Sequence, residues 1–231
     1  MKAKLSLTLT LALLALLAWT CPALAGEKQD AVLKVKEADV VVSQIMGGND
    51  NTIPVDLLKK CRAVVIFPDM VKAGFIVGGQ YGTGVVLTRN PGGGFSAPAF
   101  FVMGGVSAGL QIGAQAADVI MLVMNEKGLK GILNNKLKFG ADAAVAAGPV
   151  GRRAEAALTG ANLYADVYSY SRTKGAFAGI SLEGGGIDFD AETSKAYYGK
   201  AFTARDILDK GLATPPPSAQ NLIHTLNSYS K

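Results

Sequence analysis

The sequence predicts an α+β protein whose sheet is strongly curved, mostly antiparallel, glycine-rich and barrel-like, with helices flanking it. Two observations lead there. Glycines recur at every fourth position as Gly74, Gly78 and Gly82, and again as Gly105, Gly109 and Gly113. In a strand the side-chain period is two, so such glycines share one face and let another backbone, or a sharp curve, approach closely. The same spacing also serves tight helix packing in membranes. The neighbours decide for strands, because Phe75, Ile76, Val77, Tyr81, Thr83, Val85, Val86 and Thr88 are β-branched or aromatic types. Apolar residues make up 49% of the 231-residue chain and charged residues 18%, which excludes disorder and suits one domain with a real core.

Residues 1–25 are predicted to stand outside the fold as a cleaved secretory signal peptide. Lys2 and Lys4 form a positive start, Leu5 to Leu17 an apolar run, and Ala23-Leu24-Ala25 a small-residue cleavage site before Gly26. Cys21 raises the rival reading of a lipoprotein anchor, but Ala18-Trp19-Thr20 ahead of it departs from the usual leucine-and-small pattern. The expected mature domain is therefore 26–231, exported to a periplasm or cell envelope. Losing Lys2 and Lys4 takes the net charge from +5 to +3, too mild for a nucleic-acid partner. Cys61 is then the only cysteine left, so no intramolecular disulfide forms, and its apolar setting predicts a buried thiol.

Along the mature chain, Ala31, Val35, Ala38, Val42 and Ile45 recur at spacings of four and three and predict an amphipathic helix over 28–46, ended by Gly47-Gly48. Packing against the domain and insertion into a membrane are both open to its apolar face. Pro54 opens a short helix through Leu58. Strands are predicted over 63–67, 75–80, 84–88, 99–106, 110–114 and 119–124, with a turn at Asn90-Pro-Gly-Gly-Gly94. A short helix over 125–133 is followed by strands over 137–147, 166–171 and 176–182, and Gly184-Gly-Gly186 turns into Ile187–Asp190. Thr203 and Asp206 resemble a capping arrangement for a helix stopped by Gly211. After the stiff Pro215-Pro-Pro217, Ser218 is predicted to cap a last helix whose stripe of Ala219, Leu222, Ile223, Leu226 and Tyr229 docks on the sheet.

Catalytic signals are absent from this pattern. The one histidine, His224, lies in the C-terminal helix beside Leu222 and Ile223, no serine sits in a nucleophile elbow, and Cys61 lacks a sequence-near partner. An enzyme is not expected. Gly79-Gln-Tyr-Gly-Thr-Gly84 has the wrong order for a dinucleotide loop and runs into strand-like residues. Asp188, Asp190 and Glu192 fall short of a calcium-loop series and read as a solvated strand end, so neither a metal nor a cofactor is expected.

Several segments together carry a family resemblance: Ile66-Phe-Pro-Asp-Met-Val-Lys-Ala-Gly-Phe75, Gly78-Gly-Gln-Tyr-Gly-Thr-Gly84, Ala147-Gly-Pro-Val-Gly-Arg152, Tyr168-Ser-Tyr-Ser-Arg-Thr-Lys-Gly175 and Ala196-Tyr-Tyr-Gly199. The chain resembles the SYLF domain family over nearly everything after the first 30 or so residues. That resemblance implies a lipid-binding module with no known reaction. Eukaryotic members bind phosphoinositides, fungal relatives also bind actin, and bacterial members are exported proteins of poorly defined role. Neither phosphoinositide specificity nor actin carries over to a chain with an export signal.

The expected function is thus a non-catalytic envelope protein that binds anionic phospholipid. Lys72, Arg152, Arg153, Arg172 and Lys174 lie beside glycine-rich turns within the resembling segments and are the candidate head-group residues. A shared site requires them to converge in space. Val35, Val42 and Ile45 are the candidate membrane-contacting residues of the amphipathic helix. Two alternatives stand beside this reading: self-association through a sheet edge or the glycine faces, and a carrier holding an apolar ligand near Phe100 to Met103 and Val119 to Met124.

Overall fold

The computed structural model describes residues 21–48, 53–74, 77–108, 113–150, 165–173, 176–179, 182 and 184–231. Helix α1 (Cys21–Met46) and the short α2 (Val55–Lys60) precede four long strands: β1 (Ala63–Gly74), β2 (Val77–Thr88), β3 (Ala99–Ala108) and β4 (Gly113–Val123). Helix α3 (Glu126–Leu133) leads to β5 (Lys136–Lys138), β6 (Val145–Ala147), β7 (Val167–Thr173), β8 (Ala176–Gly179) and β9 (Gly185–Phe189). Helices α4 (Ala191–Tyr198), α5 (Ala204–Leu208) and α6 (Gln220–Tyr229) close the chain, the last preceded by a single 3₁₀ turn at Pro217–Ala219.

The strands form one sheet in the order β5-β9-β3-β2-β1-β4-β7-β6, with β8 branching onto β7. It curls into a half-barrel and is mostly antiparallel, as the sequence predicts; β6 runs parallel to β7. Its covered half is buried on both faces. Val64, Ile66, Val85, Leu87, Phe100, Ile120, Leu122 and Tyr170 pack in one core with α1 and α6. Val65, Phe67, Val86, Phe101, Met103, Val119, Met121 and Val123 pack in a second core with residues of α3 and α5. Two-sided burial explains the unbroken apolar runs Ala63–Phe67 and Val119–Met124, since alternation with polar residues is expected only where one face meets water. Phe100 and Phe101 are core residues of opposite faces, so this aromatic pair forms core and not the wall of a carrier cavity.

The structure departs from the expected elements at identifiable places. Strand β1 continues past Phe67 through a register shift that takes in Pro68 and Asp69, because a bulge admits a proline and a positive φ that a regular ladder rejects. The two strands expected over 75–80 and 84–88 are one, β2. The strand expected over 137–147 is two short pieces, separated by a turn with Gly140 at φ +86°. Helix α4 was not expected. The Asp190 carboxylate accepts the Thr193 N–H at 3.0 Å as its N-cap, and Gly199 at φ +70° ends it, so the acidic strand end is a helix start. Ser218 does not cap α6; its hydroxyl meets the Tyr197 hydroxyl at 2.8 Å. Helix α6 docks chiefly on α1 instead of directly on the sheet.

Candidate functional site

Helix α1 crosses the first face of the sheet, and its apolar positions decide between the two readings open to it. Val35, Val42 and Ile45 are at most 2% exposed, within the core that also holds Ile66 and Val85. The membrane-contacting role expected of these three residues is corrected: the core covers them, so packing is what their periodicity encodes. The opposite flank of the helix exposes Leu33 (45%) and Val40 (50%). Among the described residues no helix is long and apolar enough to cross a membrane.

Leu33 and Val40 border a groove of about 310 Å³ between α1 and the β1 bulge, lined also by Lys36, Gln44, Pro68 and Asp118. An ion pair forms its far wall. The Arg172 guanidinium donates to Asp118 Oδ2 at 2.8 and 3.3 Å and also to Gln44 Oε1, which ties α1 to β7. The other Asp118 oxygen accepts the Asp69 N–H at 3.2 Å, holding a residue at φ +48°. Arg172, expected as a head-group residue, is therefore neutralised by a protein carboxylate.

Beyond this pair the four long strands extend past their helical cover as a glycine-rich ribbon. Val71 pairs with Tyr81 and with Ala116, and Tyr81 with Gly104; Val106, opposite Gly79, stands diagonal to Tyr81. Alternation from Val85 and Ile120 places these residues on the α1 face. Val71 (45%), Tyr81 (59%) and Val106 (62%) are exposed there. A Cβ added at Gly79 or Gly104 would meet nothing within 4 Å, so this face is open. The sequence holds one charge, Lys72, across residues 71–88 and 95–117 combined. Sequence reasoning passed over this charge depletion, which is a signal that could have marked the ribbon; glycine spacing alone did not show which face was bare.

Lys72 lies on the other face. It pairs with Gln115, whereas Arg172 pairs with Asp118, and odd and even positions of β4 face opposite ways. The shared cluster expected of the basic residues is split at these two members. Arg152, Arg153 and Lys174 lie outside the described residues. Lys72 is partly buried, and desolvation lowers its ammonium pKa. Cys61 is sealed: its thiol donates to the Leu58 carbonyl at 3.1 Å, and burial pushes it up to about 11 despite Arg89 nearby. His224 is exposed. Among the described residues no group of three or more His, Cys, Asp and Glu is placed to hold a metal.

Residues 104–229 match the family described as Ysc84, Las17-binding protein actin regulator. The chain belongs to this Ysc84, or SYLF, family. It is 36% identical over 197 residues to LAS seventeen-binding protein 3 of Saccharomyces cerevisiae, covering 84% of this chain and 42% of that protein. To SH3 domain-containing YSC84-like protein 1 of Xenopus laevis it is 33% identical over 210 residues, 90% of this chain and 61% of that one. The rat protein of the same name is 31% identical over 209 residues, covering 90% and 60%. The SYLF chain thus spans less than two thirds of the length of these relatives. No solved structure matches it.

Proposed function

We propose that this SYLF protein is a non-catalytic, peripheral membrane-binding module that buries the open face of its ribbon in a bilayer. One observation carries the reading: a surface exposing Val71, Tyr81 and Val106 in a pair of chain segments with a single charge. Exposed apolar surface of this kind marks an interaction site, and depletion of charge around an amphipathic tyrosine suits the boundary between head groups and acyl chains. Leu33 and Val40 extend the apolar surface along α1, with Lys36 and Glu37 beside them in the same groove. The insertion element is therefore the ribbon with the exposed flank of α1, in place of the buried stripe. Attraction to anionic phospholipid comes from the net positive charge together with Arg152, Arg153 and Lys174, whereas Lys72 points from the opposite face of the ribbon. With the leader-like residues 1–25, the membrane in this reading belongs to the cell envelope.

The relatives' names give binding to Las17 for the yeast protein, and a protein-binding role for this chain remains the coarser alternative. Self-association through a sheet edge is the alternative of a different class: β5 and β6 at the two ends of the path are three residues each and β5 carries Lys136 and Lys138, but the 113–117 end of β4 pairs only with β1 among the described residues. Co-sedimentation of the chain with neutral and anionic vesicles at low and high salt tests the proposal. Binding to anionic vesicles that weakens with salt and is lost on Tyr81→Ser with Val106→Ser supports it. No binding to either vesicle, or binding indifferent to those substitutions, overturns it; concentration-dependent size without lipid then favours self-association.

A further inference from the structure

The face of the ribbon opposite the apolar one carries two hydrogen-bond donors that stand side by side and lack acceptors among the described residues. Gln115, Lys72, Gln80, Gly105 and Gly185 form one cross-strand row over β4, β1, β2, β3 and β9. Gln80 is 5% exposed, and its Nε2 has no hydrogen-bond partner among the described residues. The amide lies across bare glycine backbone: a Cβ added at Gly185 would stand 2.3 Å from Nε2, and one at Gly105 3.0 Å from it. Two glycines thus keep a buried amide in a position where no described residue satisfies it. Directly opposite on β1 is Lys72, which has no ion-pair or hydrogen-bond partner among the described residues. Directly opposed residues hold their Cβ atoms about 4.5–5.5 Å apart, so both side chains can reach one ligand.

Leaving a buried N–H without an acceptor is costly, and so is desolvating an ammonium with no counter-charge. Both costs vanish if one ligand brings several acceptor oxygens and negative charge. An amide alone fits a carbonyl, and a lysine alone solvates a surface. An ammonium and an amide N–H₂ over glycine backbone match a tetrahedral oxyanion, which presents oxygens to both at once. We propose that Lys72 and Gln80 form a phosphate-binding site on this face, with Lys72 supplying the charge and Gln80 the directional donor. The phosphate is either a lipid phosphomonoester or a free ion. The site does not require the ribbon to enter a bilayer, so it stands or falls separately from the membrane reading.

Isothermal titration calorimetry of the full chain tests it without vesicles. The probes are inorganic phosphate, dihexanoyl phosphatidic acid below its micelle concentration, and dihexanoyl phosphatidylcholine as the blocked-phosphate control. Binding of phosphate and phosphatidic acid identifies a general oxyanion site, and binding of phosphatidic acid alone identifies the lipid head group; either supports the proposal provided phosphatidylcholine binds at least tenfold more weakly. Lys72→Met and Gln80→Leu should each weaken binding about tenfold or more, the loss of one charge-assisted or buried hydrogen bond. Gln80→Leu should fold as well as the parent, since it removes an unmatched donor, and its Tm verifies this. No binding of phosphate or phosphatidic acid, equal binding of phosphatidylcholine, or unchanged affinity in both folded variants overturns the site.

Discussion

Arg172 and Asp118 face each other across β7 and β4 with two N–H···O contacts at 2.8 and 3.3 Å, while Asp118 also accepts the Asp69 N–H of the β1 bulge at 3.2 Å. One carboxylate therefore joins three strands, and through Arg172 and Gln44 it also secures α1. The Asp118 side chain is 12% exposed and that of Arg172 25%, so solvent screens the pair only in part. Asp118→Ala leaves the guanidinium uncompensated and Asp69 unsupported at positive φ. We expect it to destabilise by about 2–4 kcal/mol, somewhat less than breaking a fully buried pair. A urea midpoint within about 0.5 kcal/mol of the parent would show that the pair is incidental.

Two ribbon glycines should respond oppositely to the same change. A Cβ at Gly84 would fall 2.1 Å from the Ile66 carbonyl oxygen and 2.6 Å from Phe67 Cδ1, just where β1 leaves its register. A Cβ at Gly104 meets nothing within 4 Å. Gly84→Ala is expected to cost about 3 kcal/mol or more, and Gly104→Ala to fall between neutral and about 1 kcal/mol stabilising through the unfolded chain. Equal thermal shifts in the two variants would contradict this geometry.

Stability should fall at both ends of the pH scale for separate reasons. Burial alone would raise the Asp166 carboxyl, but bonds from Asn125, the Ala144 N–H and Lys127 outweigh it and hold the group below its usual range. Thr203 and Lys210 lower Asp206 to about 2. Depressed carboxylates stabilise above their unfolded pKa, and that contribution disappears as pH falls below about 4. Cys61 is raised from 9.0 to about 11, and burial also raises Tyr170, Tyr197 and Tyr198. The unfolded thiol ionises first, so up to about 3 kcal/mol is lost as pH rises from 9 to 11. A loss between about pH 9 and 10 in the parent that is missing in Cys61→Ala would isolate the thiol, the tyrosines accounting for the further loss above about 10 in both; a parent flat from about 8 to 11 would contradict all four shifts.

Elements with strong local signals were legible in the sequence. The Thr203 and Asp206 side chains form the reciprocal cap predicted for α5 even though the third residue is Asp, and Asn125 caps α3 by accepting the Gly128 N–H at 3.1 Å. Both depend on contacts within a few residues. The bulge at Pro68 and Asp69 was missed because its cause, Asp118, lies 49 residues away. Ser218 was misread for a similar reason, since Tyr197 competes for its hydroxyl. The basic residues were grouped by nearness to glycine, a property of the chain; strand parity, a property of the sheet, separates Lys72 from Arg172. Gln80 gave no signal, because an unmatched donor exists only once its neighbours are placed.

The contrast between the buried stripe of α1 and the bare face of the ribbon gives the most direct separation of folding from binding. Ile45 is 2% exposed in the core beneath α1, so Ile45→Ala should cost about 2–5 kcal/mol and leave vesicle partitioning of the remaining folded protein unchanged. Val106 is 62% exposed on the open face, so Val106→Glu should stay within about 0.5 kcal/mol in stability. A carboxylate placed in the apolar surface must nevertheless be desolvated on entering the bilayer, which should reduce partitioning at least tenfold. Measuring urea midpoint and vesicle partitioning on both variants crosses the two properties. If Ile45→Ala lost partitioning at a temperature where it is fully folded, the buried stripe would have to leave the core at the membrane. If Val106→Glu partitioned like the parent, the ribbon would not be the inserting element.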